Sequence, residues 1–384
     1  MTDINDAGDF AAARASIDGI VFGGWTSIGA GLSKSADQLS GAASPRAVVL
    51  LSDGFENREP WAASVLATFP SDIQVYTVAM GSVADVPMLQ NIATSTGGQF
   101  YISPTALELH EVYNQIRADV SDDDLVLNQI VTSQDDSGSF YQPYVERGAQ
   151  KLTVSLSWED KNRKPALNIC DPTGRVVSMK DWGVKKIRGA DYLLIQILRP
   201  MPGRWTITAR DVPQKHVIAA FVRSPVQIKL APWRDRISRQ SINSVLVRAS
   251  IPGRCISRLA GVATLRQAPL IDKKSFSRKR GSSFEWTDGI PAEVRFNRQQ
   301  ERVEAGLDRA PIQPLQPFEE KRYRKLLSSE RTAPGGLYQV RFRDLHPAGV
   351  YTVRLKIEGW LSERSRFERV ALTTLGRETN TRFS

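Results

Sequence analysis

The 384-residue sequence predicts a multidomain fold: an α/β layer over residues 1–120, then two all-β sandwich modules over 121–224 and 225–384. Three observations carry this. The chain is too long for one ordinary core, since domains run to roughly 100–200 residues each. Helical and continuous-apolar patterns alternate as far as residue 120 and then give way to short alternating strands. The charge changes sign at the same place: residues 1–120 hold 5 Lys or Arg against 13 Asp or Glu, and the remainder holds 46 against 28. Such an acidic-to-basic step supports a boundary.

Within the first segment, Ile28, Leu32, Ala36 and Leu39 recur at spacings of four, four and three, which is one face of a helix. Ala47-Val48-Val49-Leu50-Leu51 is apolar on both faces, as a parallel strand covered by helices on both sides must be, and Asp53-Gly54 ends it. A second strand runs from Ile73 to Met80. A helical segment reaches about Ser95, and Gly97-Gly98 then lead into the short strand Gln99-Phe100-Tyr101-Ile102. Leu109, Val112, Tyr113 and Ile116 mark Thr105 to Val120 as a helix. Strand–helix alternation of this kind predicts a right-handed α/β layer.

At Ser121-Asp122-Asp123-Asp124 the period changes. Leu152, Val154, Leu156 and Trp158 alternate with polar partners, as do Leu167 and Ile169, and Trp205, Ile207 and Ala209. Asp171-Pro172-Thr173-Gly174 and Pro200-Met201-Pro202-Gly203 read as turns. Short strands about ten residues apart predict a β-sandwich to residue 224. In the last segment, strands are expected at Val245–Ile251 and Ala292–Phe296. A terminal pair follows, Tyr338–Phe342 and Tyr351–Leu355, joined by a turn from Asp344 to Gly349. Residues 267–290 and 305–335, rich in charge, Ser, Gly and Pro, are expected to be long loops.

Three stretches of the first segment carry a family resemblance. Gly24-Trp25-Thr26-Ser27-Ile28-Gly29-Ala30-Gly31-Leu32 resembles the G-x-T-x-I-G-x-G-L stretch of von Willebrand factor A domains. Leu50-Leu51-Ser52-Asp53-Gly54 resembles the family's strand ending in L-[ST]-D-G, and Thr96-Gly97-Gly98-Gln99-Phe100-Tyr101 resembles its T-G-G-x-[YF]-[YF] element. The resemblance covers about a third of the chain and implies a Rossmann-like α/β domain. It also implies a divalent cation, Mg²⁺, above the strand ends. The family's ligands come from a D-x-S-x-S in a first loop, a Thr in a second and an Asp in a third; Thr26 and Asp53 match the last two. Mg²⁺ takes about six oxygens, so a hydroxyl and a carboxylate suit it, and ligands of open α/β sheets lie beyond the strand carboxyl ends.

The first strand and its D-x-S-x-S have no counterpart before Gly23, where the residues read as a helix. The expectation is therefore a truncated domain, the C-terminal half alone, in which two of five ligand positions remain and Mg²⁺ binds weakly or not at all. The strand at 47–52 would then present an apolar edge. Asp135-Asp136-Ser137-Gly138-Ser139 matches D-x-S-x-S literally, but it follows polar Thr132-Ser133-Gln134 and is read as a hairpin loop. The modules after residue 120 resemble the β-rich and immunoglobulin-like modules of calcium-activated chloride channel regulator proteins and their bacterial relatives. That resemblance rests on Leu152-x-Val154-x-Leu156-x-Trp158, Asp171-Pro172-x-Gly174, Pro202-Gly203-x-Trp205 and a hairpin at Gly349-Val350-Tyr351-x-Val353.

Composition, 41% apolar and 24% charged, is that of a globular protein and excludes wholesale disorder. No stretch approaches the roughly 18–20 apolar residues of a membrane-spanning helix. The acidic start MTDINDAGDFAAAR has neither the basic nor the apolar region of a signal peptide; the resemblance, in contrast, implies secreted or cell-surface relatives. Cys170 and Cys255 fall in different modules and are read as inert thiols. His110, His216 and His346 are isolated, and zinc-protease, nucleophile-elbow and phosphate-loop motifs are all lacking. Trp158 and Trp205, inside alternating strands, are read as core. Lys273-Lys274 and Arg278-Lys279-Arg280 are read as a solvated basic loop, not a nucleic-acid site. The function expected is a non-enzymatic adhesion or protein-interaction protein whose ligand presents an acidic group. An anionic glycan is a further partner class. Alternatives are the accessory C-terminal part of a secreted metalloprotease and a carbohydrate-binding protein.

Overall fold

The computed structural model describes residues 12, 15–19, 25–80, 84–103, 106–132, 139–160, 162–232, 244–252, 258–268, 321–325, 337–341, 350–362 and 365–376. Residues 15–18 are helical. The first layer then runs α1 (Ile28–Leu39), β1 (Arg46–Ser52), α2 (Ala62–Leu66), β2 (Ile73–Met80), α3 (Val86–Thr96), β3 (Phe100–Ser103) and α4 (Ala106–Val120). The three strands are parallel in the order β1-β2-β3, with Val48 opposite Val75 and Thr77 opposite Phe100. One face buries Ile28, Leu32, Val75, Ala79, Leu89 and Ile92; the other buries Tyr76, Val78, Tyr101, Val112 and Ile116. The continuous apolar runs thus answer to two helical layers, as the sequence predicts.

The Thr96–Tyr101 element earns its residues structurally. Asp85 caps α3 by accepting from Met88 N, and Gly97, at φ +77°, ends it in the left-handed conformation. The Thr96 hydroxyl donates to Ile92 O at 2.9 Å and accepts from Val75 N at 3.0 Å, so it ties the helix end to the amino end of β2. A β-carbon on Gly98 would collide with the Val75 carbonyl.

The central module comprises β4 (Asp123–Thr132), β5 (Ser139–Tyr141), β6 (Tyr144–Val145), β7 (Lys151–Trp158), β8 (Ala166–Cys170), β9 (Val184–Arg188), β10 (Tyr192–Leu198), β11 (Gly203–Arg204), β12 (Thr206–Arg210) and β13 (Lys215–Arg223). A five-stranded antiparallel sheet, β4-β13-β7-β10-β9, shares one core with the three-stranded sheet β5-β12-β8. Val154, Leu156 and Trp158 meet Ile169, Trp205, Ile207 and Ala209 there. Trp158 and Trp205 are each 2% exposed, which bears out the core reading. His216 is buried between Pro213 O, 2.9 Å from Nδ1, and the Tyr141 hydroxyl.

One expectation changes here. The segment after β4 passes from the larger sheet to the smaller one, because β4 pairs with β13 and β5 with β12. It does not close a hairpin. Ser139 opens β5, and Asp135-Asp136-Ser137-Gly138 lie outside the described residues. Asp123 and Asp124, where the period changes, begin β4 as buried carboxylates, 2% and 6% exposed.

The last module has β14 (Gln227–Pro232), β15 (Ser244–Ser250), β16 (Arg258–Ala268), β17 (Lys321–Lys325), β18 (Leu337–Arg341), β19 (Val350–Ser362) and β20 (Ser365–Gly376). The sheets β14-β15-β18 and β17-β16-β19-β20 share a core of Ile228, Val245, Val247, Val353, Ile357 and Phe367. The expected terminal hairpin is absent: β18 pairs with β15, and β19 pairs with β16 and β20. The charged segment Lys321–Lys325, expected as loop, is a strand at a sheet edge, where charge is tolerated. Residues 292–296, Cys255, His346 and the 273–280 cluster lie outside the described residues.

Helix α4 is wedged between the modules. Its Val112 and Ile116 share a cluster with Leu372 of β20, and Ala118 packs with Leu125, Ala219 and Phe221. Lys229 Nζ donates to the carbonyls of Ala118 and Asp119 at 2.9 and 3.2 Å, neutralising the helix carboxyl end. Deeper in the junction, Arg369 of β20 is 1% exposed and donates through Nε to Asp124 at 2.9 Å and through Nη1 and Nη2 to Glu146. Burial works against its charge, and the Glu146 and Asp124 carboxylates outweigh that cost and keep the guanidinium protonated.

Candidate ligand and metal site

The two residues expected to hold metal lie at the carboxyl end of β1, on adjacent loops. Thr26 and Asn57 join these loops by a reciprocal pair. Thr26 N donates to Asn57 Oδ1 at 2.6 Å, and Asn57 N donates to Thr26 O at 2.9 Å. Ser52 Oγ donates to Gly54 O at 3.1 Å and fixes the turn that carries Asp53. Thr26 is half-buried; Asp53 is exposed, and its carboxylate has no hydrogen bond or ion pair among the described residues.

The residue that organises the site is Glu56, which the sequence reading missed. Its Oε1 accepts from Gly29 N at 2.8 Å, and both carboxylate oxygens accept from Ala62 N at 3.0 and 2.9 Å. One side chain therefore caps the amino ends of α1 and α2, where free N–H groups and the helix field favour an anion. Ser27 completes the α1 cap by accepting from Ala30 N. Gly29 is obligatory for the same packing, since a β-carbon there would strike the Pro60 and Trp61 backbone. Neither the short helix after Glu56 nor the carboxylate's reach to Gly29, 27 residues upstream, was read in the sequence.

The donor set decides the metal question as far as these residues go. Glu56 is spent on backbone donors, which leaves one hydroxyl and one carboxylate where Mg²⁺ needs about six oxygens. Among the described residues no three or more His, Cys, Asp or Glu converge to hold a metal. The described side chains do not by themselves fit a tightly held Mg²⁺.

The surroundings are apolar and exposed. Trp25, Leu51, Phe55 and Trp61 are 37%, 38%, 51% and 43% exposed. Arg58 lies over the Trp25 ring at 5.4 Å, and Trp61 Nε1 donates to Glu59 at 3.1 Å. Among the described strands β1 pairs with β2, and none of them lies on its other edge.

A family model for the von Willebrand factor type A domain matches residues 2–115. No curated protein matches the chain. Among solved structures, a von Willebrand factor type A protein from Catenulispora acidiphila is 16% identical, with 65% of this chain and 48% of that one covered and a TM-score of 0.29. A DUF4785 family protein from Legionella pneumophila is 8% identical, with 66% and 63% covered and a TM-score of 0.33. The ArnB paralog VWA2 from Sulfolobus acidocaldarius is 13% identical, with 58% and 40% covered and a TM-score of 0.18. This chain spans less than two thirds of the length of each.

Proposed function

Residues 2–115 are a von Willebrand factor type A domain, and from that premise we propose that the chain is a non-enzymatic protein-interaction or adhesion protein. It meets its partner at the carboxyl end of β1. The two β modules act as immunoglobulin-like spacers that hold the domain. The observation that carries this reading is the exposed set Trp25, Leu51, Phe55 and Trp61 around Asp53 and Arg58. Large apolar side chains beside an arginine are the composition of binding hot spots. Thr26 and Asp53 make at most a weak Mg²⁺ site, so apolar contact supplies the affinity. Arg58, exposed and free to leave the Trp25 ring, pairs with an acidic group on the partner.

Replacing Phe55 in the full chain by a photo-crosslinking benzoylphenylalanine tests this against the same probe at Asp160, remote from the site. The expected result is a defined protein adduct at position 55, absent at 160 and lost when Arg58→Glu is added. Equal labelling from both positions would refute the reading.

A further inference from the structure

A second exposed surface sits on the central module and is independent of the β1 site. Two of its connections between sheets lie at one end of the module. Residues 171–183 lead from β8 to β9, and residues 199–203 lead from β10 back to β11 and β12. Strand pairing brings them together. Ile197 is opposite Val184, Thr206 is opposite Cys170, Leu198 N donates to Gly183 O at 2.9 Å, and the Pro172 ring lies against Gly203. On these two loops and the adjoining end of β10, Val176, Met179, Trp182, Leu198 and Met201 are 53%, 40%, 76%, 46% and 45% exposed.

The loops are held in shape. Asp171 Oδ1 accepts from Thr173 N, Thr173 Oγ1 and Arg175 N, and Gly174, at φ +90°, closes that turn. Asp181 accepts from Arg175 Nη2 at 2.8 Å and from Ser178 N at 3.1 Å. Val177 turns inward to the core while its neighbour Val176 turns out. Arg199 adopts φ +49°, a strained conformation for a side-chain-bearing residue, with its guanidinium over Trp182 at 5.8 Å. Local ion pairing thus fixes the framework and leaves the apolar side chains outward.

Charge identifies what the surface faces. Both acidic groups of the loops, Asp171 and Asp181, are engaged by Arg175. Lys180 on the loop, and Lys185 and Lys186 on the adjoining edge strand β9, are exposed and have no carboxylate partner among the described residues. Glu159, Asp160 and Asp191 sit at the opposite end of the same strands. A sugar would need hydrogen-bonding groups beside the ring, which Val176, Met179, Leu198 and Met201 lack. The lysines of β9 also oppose strand pairing by a second copy. Tryptophan and aliphatic tips ringed by cations are what a lipid interface with anionic headgroups takes.

We propose that residues 171–183 and 199–203 form a membrane-docking surface that inserts Trp182, Met179, Leu198 and Met201 among the lipids of an anionic bilayer, with Lys180, Lys185 and Lys186 on the headgroups. The chain lies on the membrane through this surface.

The test is co-sedimentation of the full chain with vesicles of phosphatidylcholine alone and of phosphatidylcholine mixed with phosphatidylglycerol, alongside heparin-agarose as an anionic glycan. Binding is expected to be at least about tenfold stronger on the anionic vesicles and to weaken with added salt. Trp182→Ala with Met179→Ser is expected to lower it about tenfold, as is Lys180→Glu with Lys185→Glu. Because these side chains are exposed, an unchanged melting temperature shows that each variant is folded. Failure to bind vesicles, equal binding to both compositions, or binding indifferent to the loop substitutions would overturn the proposal. Heparin binding lost with Trp182, without vesicle binding, would reassign the surface to a glycan.

Discussion

At the scale of single residues, the N-terminal site is organised less by the two side chains expected to hold metal than by one that caps helices. Thr26 and Asp53 were legible because they stand in recognisable strings, and both lie at the carboxyl end of β1 as expected. Glu56 was not legible, because its work is to satisfy backbone N–H groups of two helices that only the folded chain brings together. Glu56→Ala leaves those donors at Gly29 and Ala62 without their acceptor. It is expected to destabilise the domain by about 1–3 kcal/mol, measured by urea unfolding, and Glu56→Gln is expected to recover part of the loss. No change on Glu56→Ala would remove Glu56 from this role. The conserved-looking strings also turn out to carry architecture: Gly29 and Gly98 are sites of backbone approach, and Thr96 is a side-chain tie between α3 and β2.

Among elements, α4 shows where sequence periodicity succeeds and where it stops. Its spacing identified a helix and a buried face, although Tyr113, counted with Leu109, Val112 and Ile116, is 42% exposed, and it gave no sign that the helix also meets β4, β13 and β20. The same holds for β18 and β19: strand character was visible, whereas their pairing was misassigned, because alternation fixes a face and not a partner. At the carboxyl end of α4, Asp119 accepts from Gln115 at 2.8 Å and from the Tyr101 hydroxyl at 3.0 Å. Burial pushes its carboxyl up to about 6, against these hydrogen bonds and the Lys229 ammonium, while Asp124 adds repulsion. From its ordinary value of 3.8 up to about 6, the folded chain keeps a proton that the unfolded chain has lost. Stability from this group is therefore present at low pH and falls as the pH rises through that window. Asp119→Asn retains an acceptor for Gln115 and removes the titration. The variant is expected to match the wild type near the low end of the window and to exceed it in stability above the upper end, read from urea midpoints across pH. A constant difference at every pH would show that Asp119 does not titrate in this way.

For the whole molecule, the modules are joined by buried charge as well as by apolar contact. Arg369 of the last module pairs with Asp124 and Glu146 of the central one, 245 and 223 residues away, and Arg117 of α4 pairs with Asp123 of β4. Such pairings were beyond the sequence, where Ser121-Asp122-Asp123-Asp124 marked only a change of period. Removing one partner leaves uncompensated buried charge, so Arg369→Ala is expected to cost about 3–5 kcal/mol. The loss should appear in the unfolding of the N-terminal domain as well as the β modules, followed by near-ultraviolet circular dichroism, because α4 is held by both. A transition lowered for the β modules alone would show the junction to be energetically local.

The central proposal is that the N-terminal site binds by its exposed aromatic and arginine side chains around Thr26 and Asp53, without a tightly held cation. Calorimetric titration of Mg²⁺ into the full chain, with Asp53→Ala in parallel, bears on it most directly. The expected result is millimolar or weaker binding, with no shift in melting temperature for either protein. Micromolar binding abolished by Asp53→Ala would contradict it.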